Sequence, residues 1–432
     1  MMGVYNLISF VGMFVLMAIA WACSTNRRLV NWRVVLWGTG LQLAFAAFIF
    51  AVPAGQAIFL FINDLVVKLV EVAGDGAKFL FGPLAQPPGT EGSLGFILAF
   101  QAMPTIVFFA ALLSLLYYLR ILPFLVERFA KLFTRWLRLS GAESLCVTSN
   151  IFVGVESALT VKPYLERMTR SELCTIMTSM MGNTASSVLA FYVLILLPTF
   201  PTIAGHLVSA TLLSWPAAIV MAKLIFPEEE LPETLGADVK IWQDSSGSAI
   251  ESIINGATDG GRMVFGIVTM LLAVLGLVGL LNLLTTSCGG WVNVALGTQV
   301  DFTLQGLLGY IFYPLTLLLG INPQDAPMVA RLIGERMIVT EVTAYQDLAK
   351  MLARGQIIEQ RSAILATYAL CGFAHVASLG IFIGGIAALA PSRAKDMAAV
   401  GLRALWAATL SLLMLACAAG VFLTKSSILF GK

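Results

Sequence analysis

The chain has 432 residues, 59% apolar and only 12% charged, with 26 basic against 24 acidic side chains and a formal net charge of +2. A soluble domain carries about 25% charged and about 45–50% apolar residues, so this composition excludes an ordinary soluble protein and indicates a polytopic membrane protein. The near-balanced charge and the absence of a long basic run exclude a nucleic-acid partner.

The first apolar run, residues 4–23, has no basic lead and no small-residue cleavage site, and Arg27, Arg28 and Arg33 follow it. It reads as a retained first span, not a removed signal peptide. A spanning helix needs about 20 mostly apolar residues, and further clean candidates lie at 34–52, 101–122, 205–226, 263–286 and 403–424. Stretches 172–197, 303–350 and 362–390 are long enough but carry breakers and polar residues. Residues 55–80 and 124–139 mix charges with Phe, Leu or Trp, the pattern of amphipathic helices on a bilayer surface. The acidic segment 227–245 is the one extended soluble loop. Arginines after the first span and before the last place both loops in the cytoplasm, with both termini outward. The six cysteines are scattered singly in apolar sequence and read as small buried hydrophobes, not disulfides or metal ligands.

One pattern occurs twice. Residues 146–197 contain a short apolar arm ending at a break at Gly154, then Glu156, a second arm ending in Pro163, and a long apolar helix. Residues 324–390 repeat the plan, with an arm to Gly334, Glu341 in a polar turn, a second arm to about Met351, and a long helix. A re-entrant hairpin followed by a span, present in both halves, is the sequence pointer to the midplane binding site of a transporter.

Within that plan Glu156 and Glu341 are functional candidates, because an ionisable group at membrane depth costs at least about 2.5–3.5 kcal/mol. Lys162 and Arg336 are near enough in sequence to pair with them instead. His375 and Ser378, three residues apart, share one face of the long helix 362–390. If a helical arm ends at Val153, its last carbonyls lack intrahelical partners. Together with the Asn150 side chain, and with Ser187 on the following helix, they offer hard oxygens to a small cation. No P-loop, dinucleotide or hydrolase motif occurs, so no cofactor is expected and an enzyme is the least favoured class.

Along nearly its whole length the chain resembles the concentrative nucleoside transporters, which are cation-coupled nucleoside symporters. The resemblance is carried by LWGTGLQ (36–42), AFQAMPTIVFFAALLSLLYYL (99–119), SGAESL (140–145), NIFVG (150–154), KPYL (162–165), INGATDGGR (254–262), VARLIGER (329–336) and ATYALCGFA (366–374). It implies an all-α polytopic membrane protein of the inverted-repeat, elevator type, with about eight transmembrane helices, two re-entrant helical hairpins and interfacial amphipathic helices. It implies one membrane unit over 1–432, with a scaffold of segments 1–122 and 263–320 and a mobile transport domain of 124–226 and 324–424. A homotrimer in the bilayer of a bacterial inner membrane is also implied, as are a nucleoside or nucleoside-like ligand and sodium as coupling ion.

Carried over by position, the resemblance assigns sodium to Asn150, Val153, Ser187 and Val188. It assigns substrate to Gly154, Val155, Glu156, Thr340, Glu341, Phe373, His375 and Ser378. The family's first hairpin tip carries a Gln and a Thr or Ser between its Gly and Glu. Here Val155 alone stands between Gly154 and Glu156. Thr340 and His375 replace family asparagines, Glu341 keeps the position implied to bind ribose hydroxyls, and Phe373 offers a stacking face for the base. The departures cluster at the substrate, so an altered substrate preference is expected. The competing readings are a proton-coupled nucleoside symporter of the same fold, motivated by His375 and the two carboxylates, and a non-transporting nucleoside-binding membrane receptor.

Overall fold

The structure is a computed structural model that describes residues 3–87, 90, 92–242 and 247–424. Among the described residues it holds helices and loops, with one isolated bridge between Ser140 and Leu235. Among the described residues, seven helical stretches are long and apolar enough to cross a membrane, and Leu304–Leu318 and Val376–Leu389 are shorter apolar helices.

Helices α1 (Val4–Ala22) and α2 (Trp32–Ala51) form the first two spans, and the Asn31 side chain caps α2 by accepting from the Arg33 amide at 3.1 Å. Pro53 opens α3 (Pro53–Phe81), one 29-residue helix over the stretch whose charge pattern suggested an interfacial element. A single turn, α4 (Leu98–Gln101), leads into α5 (Met103–Tyr118). Arg120, at φ +63°, then redirects the chain into the amphipathic α6 (Ile121–Leu137).

The first hairpin is α7 (Gly141–Ser149), a non-helical turn, and a 3-10 arm Val155–Arg167. Its first arm ends at Ser149 with Asn150 as C-cap, four residues short of the expected Val153. The expected long helix 172–197 is broken into α8 (Arg170–Met181) and α9 (Ser186–Leu196), and α10 (Ile203–Ile225) follows. The acidic stretch from Pro227 to Trp242 is loop, and the remainder of that expected loop, 243–245, lies outside the described residues.

Helix α11 (Ala249–Leu296) corrects the expected span 263–286: it runs for 48 residues and takes in the INGATDGGR segment. No proline interrupts it, and the Ser248 hydroxyl caps its start by accepting from the Glu251 amide at 3.2 Å. At 1.5 Å per residue it is about 70 Å long, well beyond a hydrocarbon core.

The stretch 303–350 likewise resolves into α12 (Leu304–Leu318), α13 (Ala326–Ile338) and the start of α14 (Glu341–Ala353). The second hairpin is α13 and α14. Its break falls at Val339–Thr340, not at the expected Gly334. Gly334 serves close packing instead, since a Cβ there would stand 2.7 Å from the Leu308 Cβ on α12. The expected helix 362–390 is also two helices, α15 (Gln360–Leu370) and α16 (Val376–Leu389), before the last span α17 (Ala394–Phe422).

Burial sorts these helices. The spans containing α8–α9, α10 and α17 are almost wholly buried, whereas the apolar part of α11 is mostly exposed and presents its side chains outward. The buried group includes a charged cluster at the foot of the first hairpin. Lys223 Nζ, at the end of α10, lies 2.7 Å from Glu143 Oε1 on α7 and 3.5 Å from Glu228, and donates to Ser171 Oγ at 3.0 Å. Beside it the Ser140 hydroxyl donates to the Glu172 carboxylate, which also accepts from the Thr169 amide at 2.7 Å.

Lys223→Met leaves the Glu143 charge buried without its cation and should lower stability by about 3–5 kcal/mol. Lys350→Met breaks only the exposed pair with Asp347 and should change stability by about 0–1 kcal/mol. Thermal unfolding of the two purified variants measures the contrast.

Candidate functional site

Each broken helix meets a hairpin tip. At the first break the Asn183 side chain donates to the Asn150 carbonyl at 2.6 Å, and the Ser186 hydroxyl donates to the Ile151 carbonyl at 3.2 Å. Asn150 returns its own side-chain N–H to the Ser179 carbonyl at 2.8 Å, which aims the amide into α8. These bonds supply partners to peptide groups released where α7 and α8 end, as buried backbone requires.

Val153 lies in the turn between the hairpin arms, and Ser187 and Val188 lie in the first turn of α9. A carbonyl in the position of Val188 is engaged by the N–H four residues on, so this oxygen runs along the helix. The four residues assigned to sodium therefore surround one junction with unequal oxygen orientation.

The second break crosses the first. A Cβ on Gly372 would stand 2.9 Å from the Met181 carbonyl oxygen, so only glycine lets the two interruptions approach this closely. Glu341, the first residue of α14, points into this region. Tyr192 of α9 donates to Glu341 Oε1 at 2.7 Å, and His375 Nε2 lies 3.4 Å from Glu341 Oε2. Glu341 and His375 are 2% and 1% exposed, so the cluster is closed to solvent in this conformation.

His375 is not inside a helix but is the N-cap of α16: the Ser378 amide donates to its Nδ1 at 3.2 Å. A neutral ring in that arrangement carries its proton on Nε2, the nitrogen facing Glu341. The Ser378 hydroxyl accepts from the His375 amide at 3.4 Å, which completes a capping box in place of the shared helix face expected from spacing, and it donates to the His375 carbonyl at 2.6 Å. Thr340 caps α14 in turn, and Phe373 lies half-buried in the second break.

Neither basic neighbour pairs with its glutamate. Lys162 Nζ sits 4.8 Å above the Trp242 ring, and Arg336, fully buried, donates to the Ala369 carbonyl at 3.0 Å.

The first hairpin opens on a cavity of about 530 Å³, within the ~300–1,000 Å³ span of small-molecule sites. Val153, Gly154, Glu156 and Ser187 line it on one side, and α5 and α11 line it on the other. The side chain of Val155 lies outside the described part of the structure. The substrate candidates thus fall into two groups, one facing the cavity and one buried around Glu341. Tyr192, Asn183 and Asp259 were not singled out from sequence. A lone Tyr in an apolar helix and an Asn beside a Gly were the available signals.

The family models described as Na+ dependent nucleoside transporter N-terminus and C-terminus match residues 11–84 and 206–420, and one described as nucleoside recognition Gate matches 99–199. An uncharacterized transporter of Haemophilus influenzae is 36% identical over 96% of this chain and 97% of its own length. The chain belongs to the Na+ dependent nucleoside transporter family. Solute carrier family 28 member 3 of Homo sapiens is 36% identical over 97% of this chain, which spans 60% of that longer protein. A structure of CNTnw in an inward-facing substrate-bound state superposes with a TM-score of 0.86, at 33% identity over 97% of this chain and 98% of that one. An outward-facing variant of CNTnw gives 0.88 at 31% identity over 98% of each. The protein is therefore a multi-pass membrane protein of the bacterial inner-membrane type, a nucleoside transporter by family and not an enzyme.

Tyr192→Phe removes the hydroxyl donor to a buried carboxylate and should lower stability by about 1.5–3 kcal/mol. Ser378→Ala, which loses only a capping hydroxyl, should cost about 1 kcal/mol. Thermal unfolding of both variants in the same detergent ranks the two.

Proposed function

We propose that the protein is a symporter that imports nucleosides or nucleoside-like solutes, driven by a sodium gradient. Segments 1–122 and 263–320 form a static scaffold within a homotrimer. Segments 124–226 and 324–424 form a transport domain that moves as an elevator. The observation that carries this reading is the crossing of two broken helices, each met by a hairpin tip, with the carboxylate of Glu341 buried at the junction. Interrupted helices at membrane depth present backbone oxygens and dipole ends to ions and polar solutes. The solved relatives, described in inward-facing and outward-facing states, support alternation between two conformations.

In this reading Asn150, Val153, Ser187 and Val188 hold sodium. Gly154, Val155 and Glu156 serve the base side and Phe373 stacks on the base, while Thr340, Glu341, His375 and Ser378 serve the sugar. Tyr192 acts as a positioning residue that holds Glu341. Proton coupling is the second reading, and the 3.4 Å contact of His375 with Glu341 favours it, because a buried imidazole–carboxylate pair is suited to hold a transferable proton.

Purified protein in liposomes should accumulate radiolabelled nucleoside when sodium is imposed outside, and Asn150→Ala should remove the sodium stimulation. Uptake that follows a proton gradient without sodium would select the second reading instead. Glu341→Gln should weaken binding of ribosides by about tenfold or more. Equal competition by dideoxy and ordinary ribosides in the unaltered protein would remove the sugar role from Glu341.

A further inference from the structure

The acidic loop from Pro227 to Trp242 is pinned to the first hairpin along its length. The Gly141 amide donates to the Thr234 carbonyl at 2.8 Å, and the Gly236 amide donates to the Leu139 carbonyl at 3.3 Å. A Cβ on Gly141 would collide with the Ala237 carbonyl oxygen, so the loop lies against the start of α7 where only glycine leaves room. Arg167 pairs with Glu233 at 2.7 Å, and Lys131 with Asp238 at 3.2 Å. At its end Trp242 donates its backbone N–H to the Thr160 carbonyl on the second hairpin arm at 3.0 Å.

The loop thereby delivers an indole to the cavity. Trp242 lines it together with Leu159 and Thr160 of the hairpin arm and Tyr118 and Arg120 at the end of α5. Lys162 Nζ stands 4.8 Å from the ring centroid and is not a lining residue, so it covers the side of the ring turned away from the cavity. The indole is half-buried, and the surface left to it meets the open space. Phe373 does not line this cavity. A Trp of the interfacial aromatic belt would turn its ring to lipid, and this one is held inward. The loop starts beside the cytoplasmic arginines, since the Ile225 carbonyl that ends α10 accepts from the Thr25 amide at 2.9 Å. Trp242 therefore stands on the cytoplasmic side.

We infer that Trp242 is a docking face for the nucleobase at the cytoplasmic end of the cavity, a station the solute occupies between the hairpin tip and the cytoplasm. The inference rests on the nucleoside reading above. Every base has a π-face, so stacking on the indole holds purines and pyrimidines alike and is indifferent to their polar edges. A sugar has no such face, so the station acts on the base alone. Lys162 and Thr160 are positioning residues: one supports the ring from behind, and the other fixes the backbone that carries it.

The test is transport by the full-length protein in liposomes, with labelled nucleoside presented at either face. Trp242→Leu, which keeps an apolar side chain but removes the ring, should raise KM at the cytoplasmic face about fivefold or more and leave KM at the outer face within about twofold. Trp242→Phe should stay within about twofold of the unaltered protein at both faces. Leu and Phe both shorten the side chain, so a purely structural role moves the two variants together. Nucleoside should also quench the tryptophan emission of the unaltered protein, and Trp242→Phe should lose part of that quench. This second readout needs only the conservative variant to fold. An unchanged cytoplasmic KM in Trp242→Leu, equal shifts in both variants, or an undiminished quench in Trp242→Phe would overturn the inference and leave the nucleoside reading standing. Absence of nucleoside transport from either face of the unaltered protein would overturn both.

Discussion

A peptide chain interrupted at membrane depth must find partners for the N–H and carbonyl groups that the interruption frees, since lipid supplies none. Four interruptions lie together in the interior among the described residues, two at hairpin tips and two within helices, and they satisfy one another. Asn183 and Ser186 at one helix break serve the carbonyls of the first tip, and Asn150 at that tip serves the carbonyl of Ser179. Tyr192 and His375, on either side, reach the Glu341 carboxylate at the start of the second arm. Moving one tip alone would leave several buried groups without partners. Hairpins and broken helices therefore behave as one mechanical unit.

The same unit explains the distribution of burial. Helices α10 and α17 are surrounded because they carry the crossed breaks on their flanks, as in the close approach of Gly372 to Met181 and Leu412. The long α11 and the neighbouring α5 enclose the cavity from outside that group, and α11 is otherwise turned to its surroundings. The foot of the first hairpin is fastened separately, by Lys223 between Glu143 and Glu228. A charged anchor at one end and a hydrogen-bonded tip at the other give the hairpin a firm base below a polar junction.

Much of this was legible in the sequence where the signal was local. The apolar runs marked the spans, and the doubled pattern of arm, break, Glu and arm marked both hairpins. Boundaries inside the hairpins were not legible, because glycine has two uses. Gly154 sits at a true interruption, whereas Gly334 only admits α12, and nothing in the adjacent residues tells them apart. The breaks in the helices containing Asn183 and Phe373 were equally hidden. Their flanks are as apolar as any span, and the groups that satisfy the freed backbone come from elsewhere in the chain.

Composition, periodicity and the repeated hairpin plan by themselves determined a helical membrane protein with carboxylates at depth, because each of these depends on residues close together in the chain. Only the tertiary structure decided what those carboxylates face. It put Glu341 against Tyr192 and His375 and closed it from solvent, and it opened Glu156 onto a cavity opposite Asp259. It also gave Lys162 the Trp242 ring and Arg336 the Ala369 carbonyl as direct partners. A charge takes its partner from whatever the folded chain brings within a few ångströms, and the two partners of Glu341 stand 149 residues before it (Tyr192) and 34 after it (His375), since 375 − 341 = 34.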